Sequence, residues 1–113
     1  MKKTGVGEFE ELVLLSICVL NNEAYALKIK DEVETRTQRS LYISGIHTTL
    51  YRMEEKGLVK STLGEANNVR GGKRKRLFTV TSFGLKSLSQ IKQTRNALWA
   101  DIPMGILQSI NKS

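Results

Sequence analysis

The sequence predicts a mainly α (α+β) fold: a winged helix-turn-helix carrying a C-terminal dimerisation helix. Three observations predict it. Apolar residues recur at helical spacing in three early segments, two short strand-like runs flank a polar and basic turn, and one long amphipathic stretch closes the chain. The expected division is a winged-helix unit over residues 1–81, with a dimerisation helix and tail over residues 82–113.

A chain of 113 residues is one domain in length. With 40% hydrophobic and 26% charged residues, it has the composition of a chain that packs a core. Its longest strongly apolar run, residues 12–20, falls well short of the roughly 20 residues a membrane span needs. Lys2 and Lys3 precede that run without a small-residue cleavage pattern, so no signal peptide is expected. One cysteine, Cys18, supports neither an intrachain disulfide nor a zinc site. A cytoplasmic protein without cofactor or metal is the expectation.

The first helix is expected over residues 8–20. Phe9, Leu12, Val13, Ile17 and Leu20 fall on one stripe, which Leu14, Leu15 and Val19 widen. Glu8, Glu10 and Glu11 suit the positive end of its macrodipole, and Asn21-Asn22 breaks it. A second helix, over about residues 24–39, buries Tyr25, Ile29 and Val33 and shows Lys28, Lys30, Asp31, Glu34 and Arg36 to solvent. Leu41-Tyr42-Ile43 then reads as a short extended piece.

The third helix is expected to start with Ser44 as its N-cap and to end at Gly57. Ile46, Leu50 and Met53 form its buried seam. At 100° per residue, Ser44, Thr48, Tyr51 and Glu55 lie within about 40° of the opposite face, flanked by His47 and Arg52. Hydroxyls, a phenol, an imidazole and a guanidinium on one face suit base edges and phosphates in a groove. An ordinary amphipathic surface helix would show the same pattern. The following runs, residues 58–63 and 76–80, break that tie by forming a hairpin beside the helix.

Charge is concentrated on that hairpin. The chain carries 18 basic and 11 acidic residues, a net charge of +7. Residues 70–76 (RGGKRKR) hold five of the basic ones, namely Arg70, Lys73, Arg74, Lys75 and Arg76, and no acid. A cluster this dense on a wing predicts contact with the phosphates of double-stranded DNA. An RNA-binding basic module and a module that meets an acidic protein partner are the other readings. The RNA reading lacks a stacking platform, because strand alternation turns Phe78 into the core.

Four stretches also resemble PadR-type transcriptional regulators: GEFEELVLLSICVL (residues 7–20), EAYALKI (23–29), HTTLYRMEEKGLV (47–59) and GGKRKRLFTVTSFG (71–84). The similarity runs in order from Gly7 to Leu88. The pairing of the helix-end motif with a glycine-basic wing and a T-x-x-G helix start makes it fairly specific. It implies a dimeric winged-helix repressor of transcription that can respond to a small molecule. Many members carry tyrosine where this chain has His47, so any DNA contact there would come from a smaller, pH-sensitive imidazole.

Thr81 is the expected cap of a fourth helix over residues 82–102, about 31 Å long, which Pro103 stops. Leu85, Leu88, Ile91, Leu98 and Ile102 form its stripe, with Trp99 beside it. So small a domain has little core left for such a helix to cover. Leu88, Ile91, Leu98, Trp99 and Ile102 are therefore expected at a homodimer interface. Two copies of Trp99 near a two-fold axis would line a pocket for a planar aromatic effector; plain interface packing is the simpler reading. Residues 104–113 suit either a short helical turn or a frayed tail.

No enzyme is expected. The single histidine and single cysteine are not brought together by any pattern, and Cys18 reads as core. No serine sits in a G-x-S-x-G setting, and Gly71-Gly72-Lys73 fails the phosphate-loop spacing.

Overall fold

The computed structural model describes residues 5–64 and 74–112. Helix α1 (Glu8–Leu20) has the expected bounds. The Glu10 carboxylate accepts from the Gly7 N–H at 2.9 Å, satisfying one donor at the helix entrance. Asn21, at φ 55°, ends α1 and leads into a single 3-10 turn, Asn21–Glu23.

Helix α2 (Ala26–Thr37) is shorter at both ends than the sequence predicts. Ala24 and Tyr25 are drawn into the sheet: the Phe78 N–H donates to the Ala24 carbonyl at 2.9 Å, and Tyr25 bridges Leu77. At the other end Gln38 turns left-handed, with φ 61°, and stops the helix. The extended piece expected at residues 41–43 does not form. Leu41 packs against the core, Tyr42 is the N-cap of the next helix, and Ile43 is already helical. The third strand position of the winged helix is filled instead by the one-residue bridge at Tyr25.

Helix α3 (Ile43–Glu55) therefore begins earlier than expected, and Ser44 lies in its first turn rather than at the cap. Its end matches the expectation. Gly57, at φ 77°, allows the Leu58 N–H to reach the Met53 carbonyl and its own N–H to reach that of Glu54, the Schellman pattern. Strands β1 (Val59–Leu63) and β2 (Arg76–Val80) pair antiparallel, Val59 opposite Val80 and Ser61 opposite Phe78.

Helix α4 (Ser82–Ala100) is capped by Thr81, whose hydroxyl accepts from the Gly84 N–H at 3.0 Å. It stops short of the expected residue 102. Pro103 disfavours a helical residue before it, so Asp101 and Ile102 form a tightened last turn. The tail is helical, with α5 (Met104–Gln108) followed by a 3-10 turn.

The core is supplied by α1 (Val13, Leu14, Ile17), α2 (Ile29, Val33), α3 (Ile46, Leu50, Met53) and the sheet (Leu58, Val59, Phe78, Val80). From α4, only Leu88 reaches it among the large apolar side chains, and then partly. Buried Glu10 holds Lys56 at 3.0 Å, tying the start of α1 to the end of α3. Arg95 bonds Glu11 at 2.9 Å and ties α4 to α1. Cys18, expected in the core, is exposed on α1, because the broad apolar stripe leaves its outer edge uncovered. Partial burial still pushes its thiol pKa up.

Candidate nucleic-acid interface

The exposed face of α3 follows from how its other face is used. Ile46, Leu50 and Met53 are buried, and the helical period turns Ser44, His47, Thr48, Tyr51 and Arg52 outward, all of them exposed. Tyr51 keeps 67% of its surface in water. The Thr48 hydroxyl donates back to the Ser44 carbonyl at 3.0 Å, so it offers a ligand its lone pairs and its methyl group. Tyr42 provides no side-chain cap, which leaves the first N–H groups of α3 open to an acceptor.

The loop that enters α3 is held from behind. The Glu34 carboxylate accepts from the Leu41 N–H at 2.7 Å and from Lys30 at 3.0 Å. These two bonds, the backbone one first, lower its pKa below the ordinary glutamate value. Tyr42 stands on this fixed loop with 83% of its surface exposed. Sequence reasoning placed it in a strand and so missed it. The available signal was an aromatic residue outside any buried period, two positions before Ser44.

The wing cations divide into separate roles. Arg70 and Lys73 lie outside the described residues, as do Gly71 and Gly72. Arg74 is exposed at the start of the descending arm. Lys75 sits over the Tyr25 ring, 4.0 Å from its centroid. Arg76 donates to the Ser61 hydroxyl at 3.1 Å, which in turn donates to Glu54 at 2.9 Å. That chain links the base of the wing to the last turn of α3. Arg36, Arg39 and Arg95 each hold a glutamate, whereas no carboxylate among the described residues pairs with Arg52 or Arg74.

The residues expected at a dimer interface lie along α4 and just beyond it. Leu98 and Trp99 are 65% and 60% exposed, while Leu88, Ile91 and Ile102 are partly covered. Leu15 and Val19 on α1 and Met104 and Ile106 on α5 add further exposed apolar surface. Among the described residues, no group of three or more His, Cys, Asp or Glu side chains could hold a metal ion, and no helix is long and apolar enough to cross a membrane.

No protein-family model and no curated protein matches the chain. Solved structures do. A PadR family transcription regulator from Clostridium difficile superposes with a TM-score of 0.64 at 27% identity, covering 80% of this chain and 90% of that one. A PadR-like transcriptional regulator from Bacillus cereus gives 0.62 at 22% identity, over 84% and 92%. A PadR family transcriptional regulator from Eggerthella lenta gives 0.57 at 18%, over 91% and 87%. These superpositions and the element order α1-α2-α3-β1-β2-α4 give the chain the winged-helix fold of PadR-like transcriptional regulators.

Proposed function

We propose that the chain is a sequence-specific double-stranded-DNA-binding regulator that works as a homodimer and represses transcription. The observation that carries this reading is the outward face of α3. Ser44, His47, Thr48, Tyr51 and Arg52 share it, no carboxylate among the described residues neutralises Arg52, and the wing lies beside its last turn. Base edges would be read by Ser44, His47, Thr48 and Tyr51, while Arg52 and the wing cations Arg70, Lys73, Arg74, Lys75 and Arg76 would serve the phosphates. Repression is taken from the sequence resemblance to PadR-type regulators; the structural neighbours support regulation of transcription without its sign.

The dimer is supported by apolar surface that the single chain leaves uncovered. Residues 82–113 would form the dimerisation unit, with Leu88, Ile91, Leu98, Trp99 and Ile102 against a second copy. Two exposed Trp99 rings brought together there would line a pocket for a planar aromatic effector. The test is an anisotropy titration of duplexes from the genome, including the region upstream of the chain's own gene. Tight binding to one duplex over random DNA supports the reading. Equal, weak binding to every duplex sinks it and favours an acidic protein partner, and preference for single-stranded RNA favours the RNA module.

A further inference from the structure

We infer that Tyr42 is a contact to the DNA backbone, its phenolic O–H donating to a phosphate at the edge of the groove that α3 enters. The inference rests on the DNA-binding reading and adds a residue to it. Tyr42 has the largest fractional exposure among the exposed large apolar and aromatic side chains, at 83%. Exposure alone would mean little on a loose loop, but this loop is fixed at both ends. Leu41 packs against the core and its N–H is held by Glu34 at 2.7 Å. On the other side the Tyr42 carbonyl accepts from the N–H groups of Gly45 and Ile46 at 3.0 and 3.2 Å, as the first acceptor of α3. The backbone of Tyr42 is thus as rigid as the helix it starts, while its ring stands in water.

The chemistry of the residue selects the partner. A tyrosine presents a flat apolar body and one polar tip, with only two side-chain torsions to fix on binding. Tyr42 lines an open recess of about 340 Å³ together with the apolar residues Phe9, Leu41 and Ile46. Ser40 and Ser44 line the same recess. A DNA backbone offers both halves of a match, the C–H surface of a deoxyribose for the apolar wall and a phosphate oxygen for the phenolic O–H. The first N–H groups of α3, uncapped by any side chain, add donors on the same side. Since phosphates are alike in every sequence, this contact would position α3 without selecting bases.

The experiment compares Tyr42→Phe, Tyr42→Ala and the unchanged protein on the operator duplex and on an unrelated one. A lost hydrogen bond to a charged acceptor predicts a fall of about tenfold or more in affinity for Tyr42→Phe, the same on both duplexes. The dependence of affinity on salt should keep its slope, because a neutral phenol releases no counterion. An unchanged melting temperature shows that the fold is intact, as the exposed ring requires. Operators with single methylphosphonate substitutions should then reveal one position that weakens the native protein and not Tyr42→Phe. Affinity within twofold of the native protein on both duplexes would overturn the inference, and so would a loss confined to the operator, which would mark a base contact. If the native protein itself binds no duplex, the DNA-binding reading fails first, and the two failures are separately visible.

Discussion

Residues four or fewer positions apart on α3 do opposite jobs, and substitutions should separate them. Leu50 is buried, so Leu50→Ala should cost about 2–5 kcal/mol of stability in denaturant unfolding. Thr48 and Tyr51 are exposed; Thr48→Ala and Tyr51→Ala should leave the melt in place and reduce discrimination between operator and random duplex by about 1–3 kcal/mol per base contact. Gly84 inverts a general rule. Alanine normally gains up to about 1 kcal/mol over glycine inside a helix. Here its Cβ would stand 2.3 Å from the Leu58 carbonyl oxygen and 2.6 Å from a Val80 methyl group. Overpacking of that kind costs about 1–3 kcal/mol and wins, so Gly84→Ala should lower the melting temperature. Glu34 carries a pH signature. Its pKa is lowered in the folded chain by the Leu41 amide and by Lys30, so the stability it contributes is complete above the ordinary glutamate range. That contribution is lost as pH falls through the lowered native value. The protection factor of the Leu41 amide should fall over that acid range, and Glu34→Gln should lower it already at neutral pH.

At the scale of elements, the wing acts as more than a row of charges. Arg76 is tied through Ser61 to Glu54 on α3, and Lys75 is laid on Tyr25, so both help to hold the hairpin against the helices. Arg74 has neither tie and is the described wing cation best placed to reach a phosphate. Arg74→Ala should weaken every duplex alike and reduce the slope of log affinity against log salt by about 0.9. Ser61→Ala removes no charge, yet it cuts the link between the wing and α3. Its expected effect is a smaller loss of affinity with the slope unchanged, read in the same titration.

The whole molecule is extended. Its radius of gyration is 17.1 Å and its long axis 59 Å, whereas a compact chain of about this length has a radius near 13 Å. α4 and α5 leave Leu98, Trp99, Met104 and Ile106 largely exposed. The proposed dimer predicts that the native chain sediments as a dimer and Leu98→Asp as a monomer, with the cooperative melt of the winged helix retained. A variant that stays dimeric would place the interface elsewhere. Trp99 is the only tryptophan, so its fluorescence reports on this region alone. Titration with planar aromatic compounds should quench it and shift operator affinity if the two rings line an effector pocket. Quenching with operator affinity unchanged would mean a sticky cavity without regulation, and no quenching would leave Trp99 as packing.

What was legible from sequence is what depends on near neighbours. The bounds of α1, the Gly57 stop, the Thr81 cap, the strand at residues 76–80 and the two faces of α3 all follow from periodicity and capping chemistry within a few positions. What only the tertiary structure decided depends on distant partners. Ala24 and Tyr25 left α2 because residues 77 and 78 offered them a strand edge. Tyr42 became a helix entrance because Glu34 holds Leu41, and the described wing cations Arg74, Lys75 and Arg76 ceased to be equivalent because Tyr25 and Ser61 lie beside two of them. Cys18 stayed exposed because none of the described elements covers the outer edge of α1. Local pattern sets where a helix turns and which face is greasy. Which neighbour meets each face depends on contacts between residues far apart in sequence, and no short-range pattern encodes those.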